Sequence, residues 1–162
     1  MKPGATDSWL VIGYGNTLRE DDGAGPAVAE AIAERGAPGV RALACPQLSP
    51  EHAETVAAAG QVIFVDASAA GGAGIGWESL APPAAATIDG HTLAPGTLLA
   101  LARQVYGRAP PSFALTIPAR RLGFGERLSP ETQAGVDAAI RAILEATSRA
   151  APENQKAIRL GQ

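Results

Sequence analysis

Side chains able to do acid–base or metal chemistry fall in three short segments of this 162-residue chain. The first is Gly13-Tyr14-Gly15-Asn16-Thr17-Leu18-Arg19-Glu20-Asp21-Asp22-Gly23, in which three consecutive acids precede a glycine. The second is the apolar run VIFVD, residues 62–66, which ends on Asp66. The third is Asp89-Gly90-His91-Thr92-Leu93-Ala94-Pro95, which carries one of the chain's 2 histidines. Singly, each has an ordinary reading: Asp66 as a turn or helix cap, the acids as a solvated face near a positive helix end, His91 as a surface residue. Together, two carboxylates and an imidazole make a three-point set of oxygen and nitrogen ligands. Imidazole suits nickel, zinc, copper and iron, and carboxylate adds neutralising charge without the softness of thiolate. Three protein ligands also leave coordination positions open for water or for a partner's ligands.

Such a set needs elements that deliver all three segments to one place. WLVIG, residues 9–13, is a short apolar run read as a buried strand, and VIFVD is a second, rich in β-branched and aromatic residues. Val40–Ala44, Ile75–Leu80 and Ser112–Ile117 are weaker strand candidates. Helical patterns alternate with them. Pro26–Arg35 carries Val28, Ala29 and Ile32 and stops at Gly36, and Pro95–Tyr106 stops at Gly107. Ser-Pro-Glu occurs at 49–51 and again at 129–131, each time offering a cap, a proline for the first helical position and an acid beside the positive helix end. The second copy opens the best amphipathic segment, with Val136, Ala139, Ile140, Ile143, Leu144 and Thr147 at helical spacing. Strands alternating with helices predict an α/β fold of three layers, α/β/α, around a twisted, mostly parallel five-stranded sheet. In such sheets ligands collect beyond the carboxyl ends of the strands, where all three ionisable segments fall. Residues 1–150 read as a single domain and 151–162 as a flexible tail.

Composition closes off other classes. A net charge of −3 and a pI near 5.4, with no basic cluster, leave nucleic-acid binding without an electrostatic footprint. The single cysteine, Cys45, excludes a disulfide scaffold, a thiolate zinc site and an iron–sulfur cluster. Lacking a His partner, it reads as a small buried apolar side chain rather than a nucleophile. His52, near a helix start, reads as a surface residue. The run Trp9–Ile12 is too short for a signal peptide's core, and the stretch from Val62 to Gly76 is broken by Asp66, Ser68 and glycines, against a membrane span. These features predict a cytoplasmic protein. Gly13-Tyr14-Gly15 hints at a dinucleotide loop, but Leu18 stands where the third glycine of the fingerprint belongs, and the acids beyond it would repel a pyrophosphate.

In order along the chain, these motifs resemble the hydrogenase maturation proteases, endopeptidases that trim the C-terminus of the large subunit of nickel–iron hydrogenases. The likeness rests first on the opening strand followed by Gly13-x-Gly15-Asn16-x-Leu18-x-x-Asp21-Asp22-Gly23-x-Gly25. Gln47-Leu48-Ser49-Pro50-Glu51, VIFVDAS, His91-x-Leu93 with Leu98-Leu99-Ala100-Leu101, Ile117-Pro118, Gly125-Glu126 and Leu128-Ser129-Pro130 continue it, over about residues 9–148. The resemblance implies that Asp22, Asp66 and His91 are the metal-binding and catalytic trio. It implies Asp21 and Asn16 as groups that shape or support the loop, and Gly23 and Gly25 as points of tight backbone turning. Thr92 departs from the pattern, since relatives often carry Gln or His there, and Cys45-Pro46 stands where many have other residues. The implied metal is nickel, held by the thiolates of the substrate precursor, and the implied partner is that precursor, met by a monomeric or weakly associating enzyme. Two other classes share the ligands or the fold: a non-cleaving nickel-sensing or escort module, and a nucleotide-binding α/β domain.

Overall fold

The computed structural model describes residues 8–87 and 92–149. His91 and the tail assigned to 151–162 lie outside the described residues. Five strands form one sheet: β1 (Trp9–Tyr14), β2 (Val40–Cys45), β3 (Gln61–Ser68), β4 (Gly76–Leu80) and β5 (Ser112–Pro118), in the order β2-β1-β3-β5-β4. All pairs are parallel except β4 with β5, which is antiparallel. Among the described residues, four α-helices cover it: α1 (Ala24–Arg35), α2 (His52–Ala58), α3 (Pro95–Tyr106) and α4 (Pro130–Arg149). Each strand candidate of the sequence is present, and the sheet is the five-stranded, mostly parallel one expected.

Strand alternation divides the core in two. Trp9 and Val11 of β1, Ile63 and Val65 of β3 and Leu115 and Ile117 of β5 meet α1 and α4 on one face. Leu10, Ile12, Val62 and Phe64 meet α2 and α3 on the other. A sheet buried on both faces needs apolar side chains at every position of its central strands, which is why β1 and β3 read as unbroken apolar runs. Gly13 and Gly25 set the fit of α1 on the sheet. A Cβ on Gly13 would lie 1.9 Å from the Gly25 carbonyl oxygen, and one on Gly25 would lie 2.5 Å from the carbonyl oxygens of both Tyr14 and Val65. Neither Gly23 nor Gly25 has a positive φ, so clearance rather than turning is what these positions supply.

The two Ser-Pro-Glu triplets behave differently. Ser129 caps α4, its Oγ accepting the Thr132 N–H at 3.3 Å. Ser49 does not cap α2: the helix starts at His52, and the ring Nδ1 of His52 instead accepts the Ser49 N–H at 3.0 Å. The expected cap at 49 is therefore replaced by a side chain of the first turn reaching back, and His52 is half-buried rather than a free surface residue. Among the described residues no helix is long and apolar enough to cross a membrane.

Candidate active site

The chain leaves β1 for β2 on one side, then returns to place β3 on the other. This is a topological switch point, and the crevice beyond the carboxyl ends of β1 and β3 is where such sheets bind ligands. Asp66 stands two residues before the end of β3, which runs on to Ser68 through its pairing with β5 rather than stopping at 66 as the sequence suggested. It lies one position past the pair Gly13–Val65, so Tyr14 of β1 is its neighbour across the parallel ladder. By strand parity Tyr14 and Asp66 share the α2–α3 face with Ile12 and Phe64. The turn Glu20–Gly23 packs against β3 and brings Asp22 close enough for its charge to act on Asp66. Leu93, two residues past His91, packs on the core of that same face, as does Tyr14. Among the described residues no group of three His, Cys, Asp or Glu side chains could hold a metal ion. Asp22 and Asp66 are brought together, and the third predicted ligand, His91, lies outside the described residues.

The three consecutive acids have three different fates. Glu20 takes a left-handed backbone (φ 47°), which costs roughly 1–2 kcal/mol for a residue with a side chain. Its N–H donates to the Gly125 carbonyl at 2.8 Å, and its carboxylate accepts the Gly123 N–H at 3.1 Å. Asp21 is fully buried. One of its oxygens accepts the N–H groups of Arg120 and Arg121, both at 2.7 Å, and the Ser129 hydroxyl at 2.8 Å; the other accepts the Ser129 N–H at 2.6 Å. Burial alone would raise its pKa, but the bonds from Ser129, Arg121 and Arg120 outweigh it and hold the carboxyl at about 2. Asp22 is half-buried, and one of its oxygens accepts the Asn16 N–H at 2.9 Å, while Asn16 Oδ1 takes the Leu18 N–H at 2.9 Å. Asn16 thus shapes the loop and anchors Asp22, and Asp21 ties that loop to residues 120–129.

Asp66 sits in the opposite electrostatic setting. Burial pushes its carboxyl up to about 6; the Asp22 charge adds to this, and the Ala67 N–H and the Tyr14 hydroxyl oppose it. Tyr14 is the residue that sequence reasoning missed. Its side chain interacts with Asp66 across the ladder, and its own ionisation is raised, first by burial and then by the Asp66 charge. Tyr14 lies between two glycines with no local signal of its own, so only the strand register reveals it. Cys45 is half-buried with its thiol pushed up by burial, consistent with a packing role. A groove of about 360 Å³ runs beside the loop, between Asn16–Leu18, Pro26 and Glu30 of α1 and Cys45–Pro46.

The Asp66 shift makes a thermodynamic prediction. A carboxyl whose pKa rises on folding adds stability below its unfolded value near 4, and that stability is lost as pH rises through about 6. Asp66→Asn should therefore melt above the wild type at pH 7 to 8, with the difference closing on acidification toward about pH 4. Thermal melts over that range, read by circular dichroism, provide the check. A variant less stable than the wild type at pH 8 would contradict the buried, crowded carboxylate.

No protein-family model and no curated protein sequence matches the chain. Solved structures do. A [NiFe] hydrogenase maturation protease, HycI, from Thermococcus kodakarensis KOD1 superposes with a TM-score of 0.69 at 22% identity, over 88% of this chain and 93% of its own. The hydrogenase 2 maturation peptidase from Thaumarchaeota archaeon SCGC_AB-539-E09 gives 0.66 at 24% identity, over 87% and 98%. The hydrogenase maturating endopeptidase HybD from E. coli gives 0.66 at 19% identity, over 89% and 94%. The chain therefore has the fold of the hydrogenase maturation proteases, across nearly the whole length of each.

Proposed function

We propose that this protein is an endopeptidase that removes a C-terminal extension from the nickel-loaded large-subunit precursor of a nickel–iron hydrogenase. The observation that carries the reading is the convergence of Asp22 and Asp66 at the switch point of a fold shared with named maturation proteases. In this reading Asp22, Asp66 and His91 reach the nickel that the precursor already holds through its cysteine thiolates. The enzyme then needs only oxygen and nitrogen ligands, because the substrate supplies the soft sulfur. A precursor without nickel lacks the anchor, which makes cleavage a checkpoint on metal loading.

Hydrolysis adds a water oxygen to the scissile carbonyl carbon, breaks the C–N bond and delivers a proton to the leaving amine. Two routes suit the site. The substrate's metal polarises the carbonyl or acidifies a water, with the carboxylates as ligands. Alternatively, a carboxylate takes the water's proton directly; Asp66, poised near pH 6 and held by Tyr14, is the better placed of the two. The groove beside Asn16–Leu18 offers a seat for the extended precursor tail. The protein is read as cytoplasmic and acting as a monomer.

The test is to incubate the protein with nickel-loaded and nickel-free precursor and to record intact masses. Loss of a C-terminal peptide from the loaded form alone is expected. Binding of the loaded precursor with no change in mass would replace the peptidase by a nickel-sensing or escort module.

A further inference from the structure

The loop joining β5 to α4 carries Arg120-Arg121-Leu122-Gly123-Phe124-Gly125, and several hydrogen bonds fasten this loop to the acid-bearing turn. Glu20 N–H to Gly125 O, Gly125 N–H to Leu18 O and Asp21 N–H to Arg121 O, at 2.8, 2.9 and 3.0 Å, join the two backbones, and the Asp21 carboxylate clamps both arginine N–H groups. On this fixed mount Phe124 is 91% exposed, beside Leu122 at 39% and Leu18 at 47%. Large apolar side chains held out into water by a well-bonded loop are a mark of a recognition surface. Arg19, Arg120, Arg121 and Arg127 flank them along the same two joined segments, all exposed. That gathers four of the chain's 13 Lys and Arg in one lobe of a molecule with net charge −3. Among the described residues none of the four forms an ion pair, although the Arg120 guanidinium also reaches the Gly72 carbonyl at 3.3 Å, and Glu30 and Glu126 line a cleft with Arg127. Aromatic and arginine side chains with unspent hydrogen-bonding capacity dominate the energetics of protein interfaces.

We infer that this lobe docks a folded protein surface in which acidic residues ring an apolar hollow for Phe124, and that in the proposed reaction the surface belongs to the large-subunit precursor. The inference rests on the proposed function for the partner's identity. It assigns the lobe to holding the body of the substrate while the neighbouring carboxylates act on its metal-bearing end. The charge balance favours one partner chemistry: four exposed arginines outnumber Glu20 and Glu126 in the same segments, which disfavours a basic surface, and an apolar tip among arginines matches an acidic rim.

The experiment compares the wild type with Phe124→Ala and Arg121→Glu on nickel-loaded precursor. Tyr106→Ala serves as a control for an exposed aromatic elsewhere, at 49% exposure. Both lobe variants should raise KM about tenfold with kcat within about twofold, and the Arg121 variant should flatten the dependence of KM on salt. The control should match the wild type, and thermal melts should be unchanged because Phe124 supports no core packing. A wild type that trims precursor while both variants keep its KM overturns the docking role and leaves the peptidase reading intact. Precursor binding without cleavage, lost in the variants, upholds the lobe and overturns the peptidase. A wild type that neither binds nor cleaves overturns both. A concentration-dependent dimer abolished by Phe124→Ala, with KM unmoved, reassigns the lobe to contact between copies of this chain.

Discussion

Single replacement of Asp66 by Asn, Asp22 by Asn or His91 by Ala should each cut precursor trimming by about a thousandfold, within the range for loss of a positioned acid–base or ligand group. The Asp66 variant is the most informative of the three. Asn preserves the shape of the side chain and keeps a carbonyl oxygen beside Tyr14, so chiefly charge and basicity are removed. Because burial and the Asp22 charge both disfavour the Asp66 carboxylate, removing that charge should leave the fold at least as stable near neutral pH. A fall in rate with a rise in melting temperature cannot be ascribed to unfolding. The wild-type rate should also fall on acidification with a limb near pH 6, as the Asp66 carboxylate takes up its proton. Wild-type rates in all three variants would end the assignment, and a loss confined to one carboxylate would favour a general base over a ligand set.

Asp21→Asn should lower the unfolding free energy by about 3 kcal/mol at neutral pH, because a buried charged acceptor serving several donors is among the most costly to alter. Four hydrogens point at this carboxylate, from the N–H groups of Arg120, Arg121 and Ser129 and the Ser129 hydroxyl. An amide of the same shape offers one oxygen and turns an NH2 group toward donors. Urea titration gives the magnitude. Hydrogen exchange locates it, with faster exchange at Arg120, Arg121 and Ser129 than at the β1 and β3 amides. The sign of the pH dependence is opposite to that of Asp66. A carboxyl held at about 2 stabilises the fold above its unfolded value near 4, and that contribution fades as pH falls through about 2. The gap between wild type and variant should therefore shrink only in strong acid. Equal urea midpoints for the two proteins at pH 7 would remove Asp21 from its role as the tie between the two loops.

The legible part of this molecule is the part that local pattern encodes. Apolar runs at 9–13 and 62–66 announce central strands because both their faces are buried, and α1 and α3 end at the glycines, Gly36 and Gly107, that punctuate their patterns. The carboxyl-edge location of Asp22 and Asp66 follows from strand–loop–helix order alone. Contacts between segments far apart in sequence are not encoded in this way. The antiparallel run of β4 depends on its pairing with β5, and nothing within Ile75–Leu80 states a direction. Asp21 looks like its neighbours Glu20 and Asp22 until Arg120, Arg121 and Ser129 arrive from the far end of the domain. Tyr14 gains its meaning only from lying across the ladder from Asp66. The identical triplets at 49 and 129 carry the same capping signal, and the residues just downstream make the difference: His52 supplies a ring nitrogen to Ser49, whereas Thr132 supplies a backbone donor to Ser129.

The ties of Asp21 span 99, 100 and 108 residues of chain. A nascent polypeptide still short of Ser129 has nothing to fasten the acidic turn, however well its first strands have paired. The anchorage of the acidic turn is therefore completed late in synthesis, as the last helix begins to form.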